Sequence, residues 1–95
     1  MKLNHSDRIS GFIQRHPDSE TSLKAWQLNM ESNSFQNFAE LKRMFGSADY
    51  VRPCVVFNIS GNKYRLIAVI NYELGNVHVQ DVLTHAEYDK EKWRQ

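Results

Sequence analysis

The chain has 95 residues, 41% hydrophobic and 24% charged, with 12 basic and 11 acidic side chains and a formal net charge of +1. That length is expected to hold one domain, residues 1–95, with a core of modest stability margin, and the near-neutral balance excludes a protein that grips polyanions through its overall field. With Cys54 as the lone cysteine an internal disulfide is excluded, and no segment approaches the roughly 20 apolar residues that span a bilayer.

The opening MKLNHSDRIS carries no apolar signal-peptide core, so a soluble, cytoplasmic protein with no membrane partner is expected. MKL itself reads as a short extra strand at a sheet edge. Ile9, Phe12 and Ile13 follow the i, i+3, i+4 spacing of a helix face, and Pro17 stops that helix. A second helix is expected from about Asp18, with Leu23, Trp26 and Met30 on one side. In NFAELKRMFG (37–46) Asn37 is placed to cap a third helix, Glu40 to close a capping box and Gly46 to end it. Phe38, Leu41, Met44 and Phe45 form its buried stripe.

The second half reads as strands. CVVFNI (54–59) is β-branched and aromatic, and SGNK supplies a tight turn. KYRLIAVINY (63–72) is apolar on both faces in its middle, which predicts a central strand. ELGN (73–76) turns again, and VHVQDVL (77–83) makes a third strand. The expected class is α+β: N-terminal helices packed on a small antiparallel sheet, with a short C-terminal helix.

Charge is unevenly spread. Residues 1–51 hold six basic and six acidic side chains, whereas the stretch from Arg52 to Arg65 contains Arg52, Lys63 and Arg65 and no acid. Residues 66–95 hold three basic and five acidic side chains. A polyanion must therefore find a local patch. On an extended strand Lys63 and Arg65 share a face, roughly 7 Å apart, close enough to grip one phosphate or two neighbouring ones. The same pair reads equally well as a solvated strand end.

THAEYDK (84–90) concentrates the remaining chemistry. Thr84 and Glu87 fit a capping box, which starts a helix directly after the third strand and gives Glu87 a structural role. His85 is then the first helical residue, where the positive end of the macrodipole disfavours an imidazolium; a neutral ring is what a general base needs. One turn on, Asp89 is placed to orient that ring, and Tyr88 offers a flat surface for a nucleobase or a hydroxyl for a proton. His5, His16 and His78 show no metal-ligand spacing with His85, and Cys54 is isolated. There is no phosphate-cradling glycine loop, nucleophile elbow or dinucleotide fingerprint. An enzyme built from these residues works by acid–base chemistry and cations, with no cofactor and no metal.

VVFNISGNKYRLIAVINY (55–72) followed by THAEYDK at this spacing resembles the HigB-type toxins of the RelE-like superfamily. HPDSETSLKAW (16–26), an early short strand and SAD (47–49) closing a helix agree with it, so the resemblance spans nearly the whole chain. It implies a RelE-like fold and the toxin of a toxin–antitoxin pair, a messenger-RNA endonuclease acting on the ribosome and so inhibiting translation. It also implies silencing by a tightly bound helix-turn-helix antitoxin of the HigA type. The implied chemistry is metal-free: the ribose 2′-hydroxyl attacks its own 3′-phosphate. In that scheme Arg65 takes the phosphate, Lys63 assists it, His85 is the base or acid, and Tyr88 stacks or shares the proton work. Arg52, Glu87, Lys90 and Lys92 contact RNA.

Antiparallel pairing through one turn puts Arg65 opposite Val82 or Leu83, which brings His85 alongside. One position departs from the family pattern: Gln80, four residues before Thr84, stands where arginine is common, with Asp81 next to it. Two rival readings use the same residues. One is a catalytically weak or inactive RNA- or ribosome-binding module. The other is a protein-interaction domain whose main surface meets a partner protein.

Overall fold

The computed structural model describes residues 1–90 and 93. Strand β1 (Lys2–Asn4) leads into helix α1 (Asp7–Arg15), a 3₁₀ turn (Pro17–Ser19), α2 (Glu20–Glu31) and α3 (Phe38–Met44). Strands β2 (Asp49–Val51), β3 (Cys54–Ile59), β4 (Tyr64–Asn71) and β5 (Asn76–Thr84) follow, and α4 (His85–Asp89) closes the series. The five strands form one sheet in the order β1-β5-β4-β3-β2, so β4 is central.

The helical layer covers one face of the sheet. Leu23 and Met30 of α2 and Leu41 of α3 are fully buried, and Trp26 meets Phe57 of β3 edge-on at 5.3 Å between centroids. On the sheet side Val55, Phe57, Tyr64, Leu66, Ala68, Val77, Val79 and Val82 complete this core. A smaller apolar cluster of Cys54, Val56, Ile67 and Trp93, flanked by Leu83 and Tyr88, lies on the opposite face. That second cluster is why the middle of β4 is apolar at consecutive positions: alternate side chains point to opposite faces, and here both are covered.

Several expectations are corrected. The sheet is mixed, because β1 pairs with β5 in parallel while the other three pairings are antiparallel. The strands therefore do not all follow the helices: β1 precedes them, and the long crossover through the helical layer lets it lie parallel to β5. SAD does not close a helix; α3 ends at Met44 and Asp49 opens β2, a three-residue edge strand too short to show a period. The helix expected from Asp18 begins at Glu20, after the 3₁₀ turn that Pro17 initiates.

At α3 the Asn37 side chain accepts from the Glu40 amide at 3.0 Å, but the Glu40 carboxylate accepts from Gln36 rather than Asn37, so the box is not reciprocal. Met44 is 45% exposed rather than buried, since the helix stops at that residue. Opposite the Ile67/Ala68 step the β5 ladder slips by one residue, so Gln80 is a bulge between Val79 and Asp81. The Arg8 guanidinium on α1 donates to the carbonyls of Val79 and Gln80, which ties this bulge to the helical layer. Beyond it the register runs Arg65 opposite Leu83 and Tyr64 opposite Thr84.

Candidate active site

Two local structures meet at the end of the β4–β5 ladder. The first is the β3–β4 turn, where Ser60 and Gly61 both have positive φ (54° and 67°). Gly61 adopts that conformation without steric cost, and Ser60 is held there by its hydroxyl contact to Ser22 at 3.0 Å. The second is the start of α4, where the capping box is complete. The Thr84 hydroxyl accepts from the Glu87 amide at 3.2 Å, and the Thr84 amide donates to the Glu87 carboxylate at 2.9 Å. The two are stitched together by the His85 amide, which donates to the Lys63 carbonyl at 3.1 Å.

Arg65 and His85 converge at this junction. Arg65 is only 8% exposed. Its guanidinium donates to the Tyr64 carbonyl at 3.0 Å and to the Asn62 side-chain oxygen at 3.4 Å, and lies 3.3 Å from His85 Nδ1. It also sits 5.5 Å from the centroid of the Tyr88 ring, whose other neighbour is the Trp93 indole, stacked at 5.1 Å and 14°. Among the described residues no carboxylate pairs with Arg65. A guanidinium removed from water without a counter-charge is costly, so an anion placed here would relieve that cost.

The partners of His85 fix what its proton can do. Nε2 lies 3.1 Å from the Asp89 carboxylate, and Nδ1 lies 3.1 Å from the Asn62 backbone carbonyl as well as 3.3 Å from Arg65. Arg65 only donates and the Asn62 carbonyl only accepts, so the two contacts belong to different protonation states of Nδ1. In the neutral ring with Nε2–H directed at Asp89, Nδ1 accepts from Arg65. Once Nδ1 is protonated it donates to the Asn62 carbonyl instead. The ring thus has a partner in each state, as a group that takes up and returns a proton requires.

The other expected site residues are placed less centrally. Lys63 does not share a strand face with Arg65, because β4 begins only at Tyr64 and Lys63 still belongs to the turn. Its ammonium pairs with Asp18 of the 3₁₀ turn, which also accepts from the Tyr64 hydroxyl at 2.8 Å. The Lys63 and Tyr64 contacts hold the Asp18 carboxyl below its ordinary range, and the same carboxylate pushes Lys63 and Tyr64 upward. Arg52 precedes the cis Arg52–Pro53 peptide at the far end of β3. Since Asn58 is opposite Arg65 and β3 begins only at Cys54, Arg52 lies beyond the end of that strand remote from the junction.

Tyr88 is stacked on Trp93 and lies against the Arg65 guanidinium, so both contacts compete with a nucleobase for its ring. The Glu87 carboxyl is occupied by the cap, and the Thr84 amide holds it below the usual carboxylate range. Lys90 caps the end of α4 beside a cavity of about 350 Å³ lined by Asp81, Leu83, Glu87, Lys90 and Trp93. Lys92 lies outside the described residues. Gln80 lies within 3.5 Å of the Cys54 thiol and donates to the Trp93 carbonyl at 3.3 Å.

Two residues that the sequence did not single out belong to the junction: Asn62, which touches both Arg65 and His85, and Asp18, which holds Lys63. Asn62 was visible only as part of the SGNK turn, and nothing local marks Asp18, 45 residues away from its partner. Among the described residues no three His, Cys, Asp or Glu side chains converge on a metal position, and no helix is long and apolar enough to cross a membrane.

The family model of the HigB toxin, the RelE-like toxic component of a toxin–antitoxin system, matches residues 19–91. The chain is similar to the mRNA interferase toxin HigB of Escherichia coli, 32% identical over 92 residues that span 94% of this chain and 88% of that protein. The mRNA interferase HigB of Shigella flexneri matches to the same extent. The mRNA interferase HigB of Escherichia coli O6:H1 is 28% identical over 80 residues, 81% of this chain and 78% of the relative.

Proposed function

Because the chain belongs to the HigB family of RelE-like toxins, we propose that it is the toxin of a toxin–antitoxin pair and an endoribonuclease that cuts messenger RNA at the Arg65–His85 junction. The observation that carries this assignment is the 8%-exposed guanidinium of Arg65, without a carboxylate partner among the described residues, 3.3 Å from an imidazole nitrogen. A scissile phosphate supplies the missing negative charge and is held by a planar fork that stays protonated at all relevant pH.

An anion on Arg65 brings its ribose oxygens toward His85 Nδ1. As the guanidinium turns its hydrogen bonds to the phosphate it releases that nitrogen, which takes the proton of the 2′-hydroxyl. The hydroxyl oxygen attacks the neighbouring phosphorus while the bond to the 5′-oxygen breaks. The products are a 2′,3′-cyclic phosphate and a 5′-hydroxyl, the leaving oxygen taking its proton from solvent or from Tyr88. Asp89 and the Asn62 carbonyl stabilise the imidazolium formed. Proton transfer of this kind supplies about 10²–10⁴-fold in rate, and a preorganised cation at the phosphoryl oxygens a comparable factor.

The reading extends to a cytoplasmic protein that acts on mRNA held by the ribosome, with no metal, and is neutralised by a helix-turn-helix antitoxin of the HigA type. The test is expression of the chain without an antitoxin, with growth and transcript ends measured together. Growth arrest with 5′-hydroxyl ends that persists when divalent ions are chelated supports the assignment. Intact transcripts beside a folded chain sink it. Two observations favour a weaker catalyst that chiefly binds RNA: Gln80 is engaged with Cys54 and Trp93, and Lys63 is engaged with Asp18. Salt-sensitive ribosome binding without new transcript ends distinguishes that case.

A further inference from the structure

We infer that Asn62 is a positioning residue that holds the Arg65 guanidinium and the His85 ring in one arrangement and provides the acceptor for the proton that the ring takes up. The inference rests on the roles assigned to Arg65 and His85 above. Among the described residues, only Asn62 hydrogen-bonds to both. Its side-chain oxygen accepts from Arg65 at 3.4 Å and from the Asn58 amide group at 3.4 Å, and its backbone carbonyl lies 3.1 Å from His85 Nδ1. Asn58 is the residue directly opposite Arg65 in the β3–β4 ladder. The side-chain bonds therefore fasten the turn to the strands on both sides of it, and the carbonyl is fixed as a consequence.

The geometry around Nδ1 makes that carbonyl more than a structural contact. In the neutral state the nitrogen takes a hydrogen bond from Arg65. When it gains a proton, the guanidinium becomes a donor facing a donor, and among the described residues the acceptor beside it is the Asn62 oxygen. The two partners stand at nearly equal distances, so the ring changes partner with no movement of the strand or of α4. Asn62 is itself exposed and outside both apolar clusters, so removing its side chain leaves the core intact. That separates it from residues whose loss acts by unfolding.

The test compares wild type with Asn62→Ala and Asn62→Asp in single-turnover cleavage of mRNA by saturating protein, together with ¹⁵N spectra of the His85 ring in the free protein. Asn62→Ala is expected to lower the maximal rate by about 10- to 100-fold, the scale of a misplaced reacting group, with the half-saturating concentration and the thermal midpoint essentially unchanged. Its ring-nitrogen signals move away from the wild-type pattern, because the Nδ1 partners are no longer held in place. Asn62→Asp keeps an acceptor but places a carboxylate beside Arg65, which competes with phosphate and raises the half-saturating concentration several-fold. Wild-type rate and an unchanged ring signature in Asn62→Ala, with Arg65→Ala and His85→Ala inactive, overturn the inference and leave the assigned function standing. A wild-type chain that cuts nothing overturns the function instead, and the ring spectra then decide the Asn62 contact by themselves.

Discussion

Arg65 and Lys63 are both basic and two residues apart, yet their surroundings make them different reagents. Arg65 is nearly buried and has no carboxylate partner among the described residues; Lys63 is exposed and already has one in Asp18. Substitution is expected to separate them. Arg65→Ala lowers transcript cleavage by about 10²–10³-fold, the loss of one preorganised electrostatic group. Lys63→Ala costs far less, because it mainly releases an exposed ion pair. Arg65→Lys does not restore the rate, since an ammonium cannot reproduce a planar fork that meets the Tyr64 carbonyl, Asn62 and His85 together. His85→Gln retains a polar side chain but cannot carry a proton and falls by about 10²–10⁴-fold. Arg52→Ala, at the other end of β3, leaves cleavage unchanged. Rates of transcript cutting for these five chains, each checked by circular dichroism for folding, decide the point.

Helix α4 is five residues long, too short to form on its own, and its capping box is what holds His85 at the end of β5. Glu87→Gln is expected to destabilise the protein by about 0.3–1 kcal/mol at neutral pH, the worth of a negative charge in the first helical turn, since glutamine can still close the box. The pH dependence has a definite sign. The folded-state pKa of Glu87 lies below its unfolded value because the Thr84 amide bonds its carboxylate. Its contribution is therefore complete above the unfolded value and is lost as pH falls through the lowered one. Urea unfolding of wild type and Glu87→Gln should differ at neutral pH and converge in acid, once the pH has fallen below the lowered carboxyl value. The opposing element, the β3–β4 turn, depends on Gly61 at φ 67°. A methyl group there meets no neighbouring atom, so Gly61→Ala acts through backbone strain alone, at a cost of about 1–2 kcal/mol. Because the turn carries Asn62, the same variant should also slow cleavage, which the single-turnover assay reads directly.

Over the whole molecule the sheet is an insulated plate. Helices α1–α3 cover one face, and Trp93 with its neighbours covers part of the other, where Arg65 emerges. Leu23 of α2 is fully buried in the helical-layer core, which lies on the sheet face opposite the Cys54–Trp93 cluster. Leu23→Ala should lower stability by about 2–5 kcal/mol, seen as a fall in the thermal midpoint, while the remaining folded fraction keeps its cleavage rate. The net charge of +1 sets the character of RNA binding. With so weak a field only the local cations release counterions, at a slope of about −0.7 per phosphate neutralised on a single strand. RNA affinity measured against salt should therefore show a shallow slope, near one or two phosphates' worth. A steep slope would reveal a basic surface that the described residues do not form.

Much of this arrangement follows from local rules. Alternation and turn residues define β3, β4 and β5, and with one intervening turn they set Arg65 opposite Leu83. The T-x-x-E spacing dictates the capping box that puts His85 first in α4. These features are legible because each depends on residues within a strand pair or a helical turn. The parallel pairing of β1, the bulge at Gln80, the contact of Gln80 with Cys54 and the capture of Lys63 by Asp18 are decided only when distant segments pack. The same holds for the isolation of Arg65 from every described carboxylate. Periodicity says which way a side chain points, but the charge it meets there belongs to another part of the chain, and only the folded protein brings the two together.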